Sequence, residues 1–169
     1  MIHLYHGDGK GKTSAAVGLA TRASGAGMRV LFAQFFKDGT SSEIASLNRL
    51  PGVETVPPGL HYGRYRTMSD EQRSRIHDSY CALLDDVIRR ASDYDLIVLD
   101  EAVSAYGYGM IGHETLTDFL RKEGGRREIV LTGRGPAPEL RELADYVTEM
   151  KKEKHPFDGG VTARRGIEY

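Results

Sequence analysis

The stretch Ile2-His3-Leu4-Tyr5-His6-Gly7-Asp8-Gly9-Lys10-Gly11-Lys12-Thr13-Ser14 decides how the rest of the chain is read. Ile2 to Tyr5 reads as a short strand, and His6 to Gly11 is turn-rich. From Lys12 to about Arg22 the pattern is helical, with Ala15, Ala16, Leu19 and Ala23 at helix spacing. Three alternating glycines, Gly7, Gly9 and Gly11, let backbone N–H groups turn inward around phosphate oxygens that side chains would otherwise block. The helix that follows presents its amino terminus to the same anion. Asp8, Lys10 and Ser14 complete the candidate loop. Lys12 supplies a movable point charge, and the Thr13 hydroxyl suits the shell of a Mg²⁺ (or Mn²⁺) ion. One departure stands out: His6 occupies the first glycine of the usual G-x-x-x-x-G-K-[ST] spacing.

Working outward, Gly25 and Gly27 stop the first helix, and Met28 to Phe36 is a continuous apolar run of the kind a buried parallel strand shows. Between Asp38 and Tyr65 the chain is rich in Gly, Ser and Pro, and a short helix near Ser42 to Leu50 and a strand at Val53 to Val56 are expected there. Ser69 opens a long helix with Asp70 and Glu71 in its first turn. Its apolar stripe is Ile76, Tyr80, Leu83, Leu84, Val87, Ile88 and Ala91. Leu96 to Leu99 predicts a strand, Leu116, Phe119 and Leu120 a helix, Ile129 to Leu131 a strand, Leu140 to Ala144 a short helix, and Tyr146 to Met150 the last strand. Strands alternating with helices, without hairpin turns, predict a three-layer α/β/α fold with a mostly parallel sheet. Ligands then belong at the carboxyl ends of the strands. With no repeat or linker, residues 1–169 read as a single domain.

Four further clusters sit at such ends or in loops. Asp100, closing Leu96-Ile97-Val98-Leu99 beside the phosphate loop, suits a Mg²⁺ site, although strands also end in Asp for reasons of turn chemistry. Glu101 suits either activation of water or a metal ligand. Arg134, in Thr132-Gly133-Arg134-Gly135, is placed to meet a phosphate or ribose oxygen, or else is a solvated turn residue. Arg22 on the first helix has a similar but weaker status. The loop Gly59-Leu60-His61-Tyr62-Gly63-Arg64-Tyr65 reads as a seat for a flat apolar ligand or as a hydrophobic cluster under a loop.

Composition bounds the function. The chain has 169 residues, 40% of them hydrophobic, enough for one core. With 23 Lys+Arg against 24 Asp+Glu, the net charge of −1 provides no global field for nucleic acid or an anionic membrane. The lone Cys81 excludes a disulfide framework and a cysteine zinc cluster, which points to a reducing cytoplasmic setting. The six histidines lack metal-ligand spacing, and Lys151, Lys152 and Lys154, broken by Glu153, read as solvated surface. No apolar run approaches the roughly 20 residues of a bilayer span, and the short apolar start does not read as a signal peptide.

Taken together, these residues resemble the P-loop type of corrinoid (cob(I)alamin) adenosyltransferase. The likeness runs through Gly7 to Thr13, Gln34-Phe35-Phe36-Lys37, Val98 to Glu101, Thr132 to Gly135 and Leu143-Ala144-Asp145. It continues into the tail, Lys154-His155-Pro156-Phe157-Asp158-Gly159-Gly160-Val161 and Gly166-Ile167-Glu168-Tyr169. The resemblance implies a RecA-like P-loop NTPase fold and transfer of the 5′-deoxyadenosyl group of ATP to the cobalt of a reduced corrinoid such as cobalamin, with release of tripolyphosphate. It implies that Gly7 to Thr13 hold the triphosphate, Lys12 its growing charge, and Thr13 with Glu101 the Mg²⁺. Asp100 would act through the outer shell, and Arg134 would touch the nucleotide. A homodimer, and a flavin-type reductase that supplies electrons, are implied in the same way. Better-known members carry a Phe and a Trp where Leu60 and Tyr62 stand here, aromatics thought to exclude the cobalt's lower ligand, and an N-terminal extension over the site. A weaker or rearranged control of cobalt coordination, and a different closure of the site, are therefore expected. Two other readings remain open on the residues alone: a small P-loop ATPase or kinase using Glu101 or another carboxylate, and a nucleotide-binding module without turnover.

Overall fold

A computed structural model describes residues 1–63 and 65–168. Arg64 of the aromatic loop and Tyr169 of the tail lie outside the described residues. The chain alternates strands and helices: β1 (Ile2–His6), α1 (Lys12–Gly25), β2 (Val30–Gln34), α2 (Ser42–Leu47), β3 (Val53–Thr55), α3 (Asp70–Arg90), β4 (Leu96–Asp100), α4 (Ala102–Gly107), α5 (His113–Glu123), β5 (Glu128–Gly133), α6 (Pro138–Leu143) and β6 (Tyr146–Glu149). The strands form one sheet in the order β3-β2-β4-β5-β1-β6, and every adjacent pair is parallel.

Side chains of the central strands alternate between two cores, as the two-residue repeat of a strand requires. Leu31, Ala33, Ile97, Leu99, Ile129 and Leu131 face α3 and α4 to α6, whereas Val30, Phe32, Leu96, Val98 and Val130 face Ala16, Ala20 and Ala23 of α1 and Leu47 of α2. Because both faces are covered, β2 and β4 are buried at every position, and each is apolar up to its last residue, Gln34 or Asp100. β6, at the edge, is exposed throughout.

α3 begins with a reciprocal cap. Ser69 Oγ accepts from the Gln72 N–H at 3.2 Å, and Gln72 Oε1 accepts from the Ser69 N–H at 3.0 Å. Such a cap is worth about 1 kcal/mol. Asp70 and Glu71 in the first turn and Arg89 and Arg90 in the last complement the helix dipole. Of the expected stripe, Ile76, Tyr80, Leu83, Leu84 and Val87 are buried within the helix, and Ala91 is buried in the short turn that follows.

Three departures from the sequence reading bear on the site. β2 stops at Gln34 because Phe36 turns into the left-handed region at φ 53°, a turn held by its N–H donating to the Tyr80 hydroxyl at 2.7 Å. The short helix α4 follows Glu101 directly, where no element was expected. And β5 separates β1 from β4, so the acidic strand is not the direct neighbour of the phosphate-loop strand.

Candidate active site at the carboxyl edge of the sheet

β1 delivers its last residue, His6, buried in the sheet, and burial pushes its imidazole below the usual histidine pKa. The loop that follows lies against the end of β6. Gly9 donates its N–H to the Met150 carbonyl at 2.7 Å. A Cβ on Gly9 would fall 2.5 Å from that oxygen, and one on Gly7 would meet the same atom. Close approach of two backbones therefore demands these two glycines, in addition to any need to admit a phosphate. Lys12 is buried and donates its ammonium to the Gly9 carbonyl at 2.7 Å, bridging the loop. Burial lowers its pKa, and the nearby Arg134 lowers it further, while Glu101, Asp8 and Asp100 oppose the shift.

Thr13, at the start of α1, donates its hydroxyl to Asp100 Oδ1 at 2.9 Å. Thr132, at the end of the intervening β5, donates to the same oxygen at 2.6 Å, and its hydroxyl accepts the Glu101 N–H at 2.9 Å. Gln34 completes the group, donating to Asp100 Oδ2 at 3.2 Å and to Glu43 at 2.9 Å. Asp100 thus meets Thr13 across β5, at the point where three strand ends converge. It is fully buried, and desolvation raises its pKa even though the two threonine hydroxyls pull it down.

Glu101 directly follows Asp100 at this edge. Its backbone is left-handed, φ 60°, and its carboxylate accepts from Ser104 Oγ at 2.6 Å. It thereby lines a separate cavity of about 820 Å³ along with Ser104, Arg134, Phe36, Tyr65 and Tyr108. A non-glycine residue held in this region costs about 1–3 kcal/mol and is most often retained where function needs the orientation. Gly133 explains the motif before Arg134: its φ of 146° and a Cβ position 2.7 Å from the Ser104 nitrogen leave room for glycine alone where β5 meets α4. Arg134 follows, its N–H donating to Ser104 Oγ at 3.2 Å.

The aromatic wall of this cavity comes from three distant segments. Tyr65 and Tyr108 stack with ring centroids 4.3 Å apart, Phe36 meets Tyr108 edge-on at 6.0 Å, and the Arg73 guanidinium lies 4.9 Å from the Tyr65 ring. Leu60 and Tyr62, the expected ligand contacts, do not line it. Leu60 is exposed, its backbone tied to Ser79, and Tyr62 lies on the hydrophobic core with the Arg75 guanidinium 5.9 Å from its ring. Arg22 lies on the first helix, as expected, at the end away from the loop. It is exposed in the last turn of α1, ten residues past Lys12 and so about 15 Å along the axis.

The remaining loop residues are engaged by the tail and by the segment after β6. Asp8 Oδ1 accepts the Lys152 N–H at 3.0 Å, which holds its carboxyl below the usual range. Lys10 donates to the Ile167 carbonyl at 2.6 Å, and Ser14 lines a cleft of about 490 Å³ with Ser42, Ser46 and Glu168. Sequence reasoning gave no site role to Tyr108, Glu43 or Met150, the last named only as the end of a strand. Phe36 and Tyr65 were visible only as members of quoted stretches, because nothing local tells which aromatic of a loop faces a cavity.

A glycine loop between a parallel strand and a helix, a buried lysine across it, and a threonine bonded to an aspartate at the end of an inner strand define a P-loop nucleotide-binding protein. The family model of the ATP:corrinoid adenosyltransferase BtuR/CobO/CobP matches residues 1–169. The chain belongs to this family, whose members use ATP and a corrinoid. It is 34% identical over 172 residues to the corrinoid adenosyltransferase of Escherichia coli (strain K12), covering 100% of this chain and 85% of that one. It is 33% identical to the corrinoid adenosyltransferase CobA of Salmonella typhimurium, again covering 100% and 85%, and 33% identical to the enzyme of Pseudomonas aeruginosa, covering 100% and 83%. Among the described residues no helix is long and apolar enough to cross a membrane.

Proposed function

We propose that this chain, acting as a single domain, transfers the 5′-deoxyadenosyl group of ATP to the cobalt(I) of a reduced corrinoid and releases tripolyphosphate. The observation that carries the reading is the junction of two unlike sites. The phosphate loop with Lys12 adjoins a flat-walled aromatic cavity, and Arg134 and Glu101, whose charges act on Lys12, line that cavity. Cobalt(I) is itself a strong nucleophile, so no serine or general base is needed. The Co–C5′ bond forms as the C5′–O bond breaks, and the electron pair departs with the triphosphate. The work left to the protein is alignment and charge stabilisation.

Lys12 exchanges its intraloop bond to the Gly9 carbonyl for the departing phosphate oxygens. Phe36, Tyr65 and Tyr108 offer the corrin an apolar face, and Arg134 stands between the two substrates. Thr13 and Asp100 fit a Mg²⁺ ion, since that ion takes oxygen ligands from one or two carboxylates and from substrate phosphates, and Asp100 is a buried carboxylate already paired with the Thr13 hydroxyl. When bound, Mg²⁺ neutralises charge on the triphosphate. In this arrangement Asp100 is the carboxylate paired with Thr13, and Glu101, the metal ligand that the resemblance implies, also lines the corrinoid cavity. Family membership supports a homodimer in the cytoplasm, served by a flavin-type reductase. Anaerobic incubation with ATP, Mg²⁺ and chemically reduced cobalamin tests the reading. The absorbance of a Co–C product is expected, and its absence with fully reduced cobalt overturns the proposal.

A further inference from the structure

The wall of the aromatic cavity begins where the sheet ladder runs out. β2 pairs with β4 as far as Gln34 and Asp100, and the Phe35 N–H adds one more bond, donating to the Asp100 carbonyl at 2.9 Å. The next N–H, that of Phe36, leaves the sheet and donates to the Tyr80 hydroxyl at 2.7 Å, with Phe36 at φ 53°. Left-handed backbone at a bulky aromatic residue is sterically disfavoured and persists only where its surroundings hold it. From this turn Phe36 reaches the cavity and meets Tyr108 edge-on.

Tyr80 comes from the middle of α3, where the apolar stripe asks only for hydrocarbon. Ile76, Leu83, Leu84 and Val87 are the other buried residues of that helix, and Tyr80 is 1% exposed among them. A phenylalanine would fill the same space, and burial alone disfavours a hydroxyl, so the oxygen is accounted for by its hydrogen bond. The Tyr80 ring meets both Phe35 and Phe36 edge-on, with centroids 5.2 and 5.3 Å away. The loop before α3 also passes in close contact: a Cβ on Gly59 would fall 2.8 Å from the Tyr80 ring, and the Leu60 N–H donates to Ser79 Oγ at 2.9 Å. Two neighbouring residues of α3 thus hold both the end of β2, with Phe36, and the loop that leads to Tyr65.

We propose that Tyr80 is a positioning residue for the corrinoid: its hydroxyl fixes the turn at Phe36 and so sets the ring against which the macrocycle lies. Tyr80 is buried beneath the wall, does not line the cavity, and acts through Phe36. This inference rests on the adenosyltransferase reading and adds the residue that shapes its corrinoid seat.

Initial rates of the full chain with reduced cobalamin, one substrate varied and the other saturating, test it. Tyr80→Phe removes the oxygen and keeps the ring. It is expected to raise the KM for cobalamin about 3- to 10-fold, the usual effect of one hydrogen bond, with kcat and the KM for Mg·ATP unchanged. In a Phe36→Ala background the same substitution should add nothing to the cobalamin KM, because the ring that Tyr80 positions is gone. Val87→Ala, further along the same stripe, separates positioning from stability: it should lower the melting temperature and leave the cobalamin KM at the parent value. An unchanged cobalamin KM in Tyr80→Phe, equal rises in both KM values, an undiminished effect in the Phe36→Ala background, or the same rise in Val87→Ala overturns the positioning role and leaves the adenosyltransferase reading standing. If the parent chain forms no cobalt–carbon product, that reading falls and this inference falls with it.

Discussion

Lys12 spans the loop it serves, bonded to the Gly9 carbonyl, and its replacement removes charge without opening the core. Lys12→Ala is expected to lower kcat by about 10²- to 10³-fold, the usual loss when one preorganised donor to developing negative charge is deleted. Steady-state rates with reduced cobalamin measure it, alongside circular dichroism to show an unchanged fold. Gly9→Ala is expected to act on stability instead, because the added methyl meets the Met150 carbonyl rather than a movable side chain. Overpacking of this kind costs about 1–3 kcal/mol and lowers Tm by several degrees in a thermal melt. The sequence shows the alternating glycines plainly but not this reason for two of them, since Met150 lies far along the chain. Asp100 carries a pH signature. Its folded pKa is raised by burial above the ordinary 3.8, so its favourable contribution is complete below that value and is lost as pH climbs through the raised one. Asp100→Asn should therefore melt higher than the parent at pH 7, with the gap closing toward pH 4, while Mg²⁺-dependent turnover disappears. Melting curves across that range check the sign.

At the scale of elements, β2, β4 and β5 are legible because burial on both faces writes apolar runs into the chain. α3 is legible because one stripe and a cap mark its register. The aromatic cavity is not legible in this way. Its wall joins the end of β2, the loop before α3 and the end of α4, and α4 itself is too short to show a period. The stretch Gly59 to Tyr65 drew attention by its composition, and its His61, Gly63 and Tyr65 line the cavity, where Tyr65 stacks on Tyr108 from the end of α4. Tyr108→Ala should raise KM for the corrinoid several-fold, in keeping with about 0.5–1.5 kcal/mol for an aromatic contact, whereas Tyr62→Ala should change it less. Initial rates at varied corrinoid and saturating ATP decide between the two tyrosines.

Across the whole molecule, the sheet order explains how residues separated by 87 positions, Thr13 and Asp100, come within hydrogen-bond distance. β5 stands between β4, which carries Asp100, and β1, which leads into the loop before Thr13, and its Thr132 donates to the same Asp100 oxygen that Thr13 reaches. Arg134, at the same edge, lines the aromatic cavity together with Glu101 and Ser104. A hydrolase or kinase would use such a loop to break a bond between phosphates, whereas an adenosyltransferase breaks the bond from C5′ and leaves the three phosphates joined. Phosphorus NMR of the products formed from ATP and reduced cobalamin separates these outcomes most directly. Intact tripolyphosphate, equimolar with adenosylated corrinoid, is the predicted result; ADP and inorganic phosphate without a cobalt–carbon product would contradict it.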